Sequence, residues 1–211
     1  RLRKTSWNEG PISPGGPVGP RNALILCTFF FTRGKEETTA RRCDVRLCLE
    51  TDTVFWRLSV SKTDPAALGR ERSWGCICTQ DGGLGCPFHA AVAQLALLEA
   101  SFPEAFADGS VPLFPTAAGK QVSDTDWMKF VDDLAAKVGE LLCLPSGVRR
   151  YGKHSFRSTG AVILTSLRIE LFRIQLLARW ASPVIMHYAR NAPLEALTGL
   201  VKEAITTDSL G

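Results

Sequence analysis

Along residues 21–40 the chain is apolar first and polar afterwards. Ala23, Leu24, Ile25, Leu26, Cys27, Phe29, Phe30 and Phe31 precede Arg33, Gly34, Lys35 and Glu36. Such a run predicts a buried helix ending near Arg33 and Gly34, with a turn or short helix after it. From residue 41 the period changes to two: Val45, Leu47 and Leu49, then Val54, Trp56, Leu58 and Val60, separated by Glu50-Thr51-Asp52-Thr53. Alternation broken by polar turn residues predicts a β-hairpin. Helical spacing returns over residues 87–100, with Pro87 suited to a first turn. It is clearest over 123–144, where Trp127, Phe130, Val131, Leu134, Val138, Leu141 and Leu142 share a face. Ser123 or Asp124 caps that helix and Pro145-Ser146-Gly147 stops it. Between these helices, Pro103, Gly109, Pro112, Pro115 and Gly119 predict a long connection. The last third predicts helices over 154–169, 170–180, 182–190 and 193–205, with Ser182-Pro183 as a helix entry. Residues 1–20 include Ser-Pro-Gly-Gly-Pro-Val-Gly-Pro and predict a linker or a fragment end. Arg1 rather than Met opens the chain, which reads as a piece of a longer protein.

Composition narrows the class. A chain of 211 residues with 45% hydrophobic and 22% charged side chains builds a globular core without disulfide support. No apolar run approaches the roughly 18–20 residues needed to cross a bilayer, so no membrane partner is expected. Seven cysteines, an odd number mostly in apolar or strand-like settings, fit a reducing, intracellular compartment, and the nucleus if the source is eukaryotic. The formal charge of +4 is uneven. Residues 149–190 hold eight Arg or Lys against the single acid Glu170, a net of +7 that leaves about −3 elsewhere. That stretch is either a solvated helical face or a surface turned toward phosphate.

Two sets of residues carry candidate chemistry. Cys76, Cys78, Cys86 and His89 form C-x-C-x7-C-x2-H, and three thiols with an imidazole are a tetrahedral zinc set. The alternative is reduced cysteines in a loop leading to a helix. A filled Cys3His shell leaves no open position, so zinc here would be structural. The second set lies in the basic run, where His154, Arg157, Trp180 and Tyr188 combine a general acid–base group, a phosphate fork, an indole donor and a nucleophilic oxygen. Taken singly, Trp180 and Tyr188 are ordinary core aromatics, and Lys62 in Ser-Lys-Thr-Asp-Pro is an ordinary turn lysine. Arg33, directly after three phenylalanines, would sit just past a helix end.

In order along the chain these residues resemble the catalytic domain of tyrosine recombinases, the phage-integrase-like enzymes that break and rejoin DNA. The resemblance covers about residues 21–200 and looks closest to eukaryotic, mobile-element-derived members. Arg33 with Glu36 stands in the family's R-x-x-E context, which Arg41 and Arg42 lack. Lys62 falls at the β-hairpin lysine, His154 and Arg157 match the H-x-x-R box, Trp180 the His-or-Trp position, and Tyr188 the nucleophile. The resemblance implies an α+β, mostly helical fold with a small antiparallel β-hairpin or sheet at one edge, as one catalytic domain over residues 21–211. It implies cleavage of double-stranded DNA through a 3′-phosphotyrosine, in site-specific recombination or integration, on a DNA-bound tetramer, with no cofactor required. The rival expectations are a non-catalytic DNA-binding remnant and a zinc-stabilised interaction domain.

Overall fold

The computed structural model describes residues 10–58, 70–78 and 85–179. The chain divides into two compact units, Arg1–Arg157 and Ser158–Gly211. The first unit opens with irregular chain that is not loose: Ser13 and Val18 are buried, and the Val18 N–H donates to the Pro115 carbonyl at 2.8 Å. Helix α1 (Pro20–Phe29) starts on that proline, whose fixed φ and missing N–H suit a first turn. It ends four residues before the expected Arg33. The cause is a left-handed turn at Phe31, φ 53°. The Thr32 N–H reaches back to the Cys27 carbonyl at 3.1 Å, and the Phe31 N–H to the Thr28 carbonyl at 3.3 Å. These are the paired bonds of a Schellman ending, with phenylalanine where glycine is usual. A short helix α2 (Gly34–Thr39) follows.

The predicted hairpin exists as β1 (Val45–Cys48) and β2 (Thr53–Leu58), with Val45 opposite Trp56. A third strand, β3 (Arg70–Gly75), extends it to a three-stranded antiparallel sheet in the order β1-β2-β3. Its arginine, glutamate and glycine conceal the strand from pattern reading. Val45, Val54, Trp56 and Leu58 face the core, while Leu49 lies in the turn, 72% exposed. Helix α3 (Pro87–Ser101) packs against α1 and the sheet. Its buried Gln94 donates to the Leu113 carbonyl at 2.8 Å and accepts from Asn22 at 3.2 Å, so it ties the long connection and α1 to one helix. That connection contains the short α4 (Pro103–Ala107).

Helix α5 (Asp124–Lys137) is capped by the Ser123 hydroxyl, which accepts from the Asp126 N–H. It stops before Gly139, short of the expected residue 144. Leu141 and Leu142 continue the apolar count, but the chain there doubles back around Pro145-Ser146-Gly147. The Arg150 N–H meets the Leu142 carbonyl, the Leu144 N–H meets the Val148 carbonyl, and Leu141 is 71% exposed. Helix α6 (Ser155–Ser166) begins one residue after His154, which lies in the preceding turn. In the second unit the described residues complete α6, pass through left-handed Arg168 (φ 61°) and form α7 (Leu171–Ala178) from the N-cap Glu170. The expected helices over 182–190 and 193–205 lie outside the described residues, as does Val60.

The core of the first unit is a chain of rings. Phe30 meets Trp56 (5.2 Å between centroids), Trp56 meets Phe114, Phe114 meets Trp127, and Trp127 meets both Phe130 and Phe156. The three consecutive phenylalanines diverge: Phe29 packs edge-on to Trp74, Phe30 enters this chain, and Phe31 holds the turn. All three are at least 93% buried. Each buried ring contributes about 1.5–3 kcal/mol, so the three together outweigh the cost of the left-handed conformation, about 1–3 kcal/mol. Phe31→Ala should lose about 3–5 kcal/mol in urea unfolding, and Phe31→Gly should lose about 1 kcal/mol less, because glycine pays no Cβ penalty at positive φ. Equal losses would show that the turn is not held in that conformation.

Candidate functional site

The turn after α1 brings one predicted residue to two others far along the chain. Arg157 is 2% exposed, and its Nη1 donates to the Phe31 carbonyl at 3.5 Å. Three residues beyond Phe31, the Gly34 N–H donates to the Lys153 carbonyl at 3.2 Å. A Cβ on Gly34 would lie 3.2 Å from the Lys153 Cβ, so glycine permits this approach. Residues 31–34 and 153–157 are thus stitched at two points. Arg33 lies between the stitches on one segment and His154 on the other. Arg33 is half-buried and His154 exposed. Arg33, His154 and Arg157 therefore share one junction. Lys62, Trp180 and Tyr188 lie outside the described residues.

The R-x-x-E spacing has a local cause. Arg33 is the N-cap of α2, and the Glu36 carboxylate accepts the Arg33 backbone N–H at 2.9 Å. An arginine side chain has no acceptor to complete a reciprocal capping box, so its fork is not spent on the helix end. Arg41 caps a single 3-10 turn, and Arg42 lies over the Phe106 ring at 4.6 Å. Neither occupies the stitched junction.

Beneath the turn sits a residue that sequence reasoning missed. Glu37 is 1% exposed, and its Oε1 lies 3.0 Å from the Thr32 hydroxyl, which also faces the Cys27 carbonyl at 3.2 Å. Burial drives the Glu37 pKa up from 4.5 to about 8. The Thr32 contact and the nearby Trp127 indole oppose the shift, the indole without a well-formed hydrogen bond. One hydroxyl hydrogen cannot serve two acceptors fully. A protonated Glu37 resolves this by donating to the Thr32 oxygen while Thr32 donates to Cys27. Burial also pushes the Cys27 thiol well up. Of the buried groups here, Glu37 and Cys27 are therefore uncharged at neutral pH, and Glu36, 4% exposed, is the second buried acid. The only sequence signal was a second acid in Arg-Gly-Lys-Glu-Glu, which on a short helix reads as surface.

The basic run is partly neutralised where it is described. Arg149 pairs with Asp132, Lys153 with Asp124, and Arg150 with Glu140, the first two acids standing on α5. Counting charge by sequence window could not reveal these partners.

The Cys/His set does converge. The ligand atoms of Cys76, Cys78, Cys86 and His89 all lie within 4.8 Å of one another, close enough to hold a metal ion. Cys86 Sγ and Cys76 Sγ are 3.8 Å apart, and His89 Nδ1 is 3.7 Å from Cys76 Sγ and 3.3 Å from Cys78 Sγ. Burial acts against ionisation of Cys86, but the backbone N–H groups of His89 and Ile77 and the His89 ring outweigh it and bring that thiol down to about 6. Hydrogen bonding from Cys76, with burial, pushes Cys78 up to about 11. All seven cysteines are free thiols. Among the described residues no helix is long and apolar enough to cross a membrane.

No protein-family model and no curated protein sequence matches the chain. Solved structures do. One is the XerH site-specific recombinase bound to palindromic difH substrate in a post-cleavage complex, with a TM-score of 0.55 and 17% identity over 85% of this chain and 45% of that one. Another is the same recombinase bound to difH substrate in a pre-cleavage complex, with a TM-score of 0.53 and 16% identity over 86% of this chain and 46% of that one. The chain spans less than half the length of these neighbours.

An acid whose folded pKa exceeds its unfolded one holds more protons folded than unfolded between the two values, so stability falls as pH rises through that window. Wild-type stability should therefore decline between about pH 5 and pH 8.5, by roughly 2 kcal/mol or more. Glu37→Gln should flatten that decline in urea titrations across the range. An unchanged slope in the variant would remove Glu37 as its cause.

Proposed function

The chain folds as a tyrosine-recombinase-like catalytic domain, and we propose that it cuts and rejoins double-stranded DNA through a 3′-phosphotyrosine on Tyr188. One observation carries the reading beyond fold likeness. Arg33 and the H-x-x-R pair His154 and Arg157, more than 100 residues apart in sequence, meet at one doubly stitched junction. Two guanidinium forks carried to one junction suit a phosphodiester, because planar forks match its oxygens and keep their charge.

In this mechanism the Tyr188 phenol oxygen attacks phosphorus in line, and its proton passes to His154 acting as base. The bond from phosphorus to the 5′ oxygen breaks, and Lys62 protonates that leaving oxygen. Arg33, Arg157 and the Trp180 indole N–H hold the non-bridging oxygens as charge builds on them. Rejoining reverses the steps with a new 5′ hydroxyl. The phosphotyrosine conserves the bond, so neither a nucleotide nor a metal enters the chemistry. The neighbours are recombinase–DNA complexes, which supports duplex DNA as the partner. Assembly as a tetramer on DNA, a mobile-element origin and, in a eukaryote, a nuclear location accompany this reading. The Cys76, Cys78, Cys86 and His89 cluster belongs to it as a structural zinc site that takes no part in the reaction.

Trapping on a pool of nicked duplexes of random sequence tests the nucleophile. Wild type should form a covalent protein–DNA adduct, with the modified peptide containing Tyr188. Tyr188→Phe should form none, and Arg157→Lys should slow adduct formation by about 100-fold or more with the fold retained. An adduct that persists in the Phe variant overturns the assignment. DNA binding with no adduct on any duplex would favour the non-catalytic remnant.

A further inference from the structure

The ligand cluster lies at the end of the strand that braces the Arg33 turn. We propose that a zinc ion held by Cys76, Cys78, Cys86 and His89 closes a clip around the last turn of α1, and so sets the position of the Phe31–Arg33 turn. This rests on the zinc reading of the cluster and extends it from local support to control of the candidate site.

The geometry first favours zinc. Tetrahedral zinc with sulfur at about 2.3 Å and nitrogen at about 2.0–2.1 Å places its ligand atoms about 3.6–3.8 Å apart. Three of the six ligand pairs lie near that spacing, one sulfur–sulfur at 3.8 Å and two sulfur–nitrogen at 3.3 and 3.7 Å, and all six lie within 4.8 Å. A disulfide would need about 2.05 Å. Cys86 Sγ also accepts the Ile77 backbone N–H at 3.4 Å, the kind of support that orients a ligating thiolate.

The ligands come in two pairs from two elements. Cys76 and Cys78 directly follow β3, and Cys86 and His89 are the N-cap and first turn of α3. Each pair abuts α1. On the strand side, the Trp74 indole N–H donates to the Phe29 carbonyl at 2.8 Å, and its ring meets Phe29 edge-on at 5.2 Å. On the helix side, a Cβ on Gly85 would fall 2.3 Å from Ile25 Cδ1, so this glycine lets the ligand loop lie directly on α1. Ile25 and Phe29 are four apart, neighbours on one helical face. Among the described residues β3 is an edge strand, hydrogen-bonded only to β2 in the sheet, and the ligand Cys76 itself donates its N–H to the Asp52 carbonyl at 2.8 Å. The ion would join this edge to α3 and trap Trp74 against the Phe29 carbonyl. Phe30, Phe31, Thr32 and Arg33 follow that carbonyl immediately.

The test uses the whole chain purified under reducing conditions. Elemental analysis should find about one zinc per chain, lost in a Cys78→Ser/Cys86→Ser double variant and kept in Cys143→Ser, whose cysteine lies outside the cluster. Amide hydrogen exchange is then followed with zinc removed by chelator and restored. Peptides covering residues 27–34 should exchange about tenfold faster without zinc and recover with it, while α5 peptides stay protected. Trp74→Phe keeps a ring and all four ligands but removes the N–H. It should retain zinc and still speed exchange at 27–34, which separates the clip from global unfolding on metal loss. Protein without zinc, or zinc retained by the double variant, overturns the metal site itself. Zinc at full occupancy with exchange at 27–34 unmoved by chelation and by Trp74→Phe overturns the clip and leaves the metal site standing.

Discussion

At the end of α1 the chain reverses through Phe31 at φ 53°, and this reversal aims a backbone carbonyl at the buried Arg157. A phenylalanine adopts such a conformation only where the surroundings over-determine it. Here they do. Phe29 is held by Trp74, Phe30 by Trp56, and the Schellman bonds close the helix behind them. The turn then presents Arg33 as the N-cap of the next helix, with Glu36 taking the backbone N–H. An arginine placed this way spends its backbone N–H, not its guanidinium, on the helix end.

The same aromatic core reaches the other half of the junction. Phe156, next to Arg157, packs on Trp127 and Phe130, which rise from α5, and Trp127 also leans on Glu37 below the turn. One connected set of rings therefore positions both arginine-bearing segments. Protein interiors are packed too densely to let one segment move alone, so core substitutions far from the arginines should be felt at the junction. Glu37 is buried beneath the turn. As a neutral acid it satisfies Thr32 yet takes no share of the arginines' charge.

Charge along the chain and charge in space differ. The run from Arg149 to Lys153 reads as a bare basic surface, but Asp124 and Asp132 of α5 lie against it and pair with Lys153 and Arg149. Exposed pairs of this kind are worth little in stability. They can still orient long side chains and hold back part of the positive field.

Much of the architecture was legible from short-range pattern. Alternation at residues 45–58 and helical spacing at 87–100 and 123–137 reflect side-chain periods that any buried face imposes. The thiol–imidazole spacing was equally visible, because metal binding needs particular residue types; of the candidate series Arg33, Lys62, His154, Arg157, Trp180, Tyr188, the structure describes Arg33, His154 and Arg157. Pattern failed where a backbone turn overrode composition. It missed the stop at Phe31, the short hairpin that turned Leu141 and Leu142 out of a helix, and the third strand written in polar letters. Only the tertiary structure decided which residues meet. The stitches from Phe31 to Arg157 and from Gly34 to Lys153, the protonated Glu37 and the closeness of four ligand atoms all depend on distances through space. Linear spacing cannot encode them, since each joins segments whose separation is set by how α1, α3 and α5 pack.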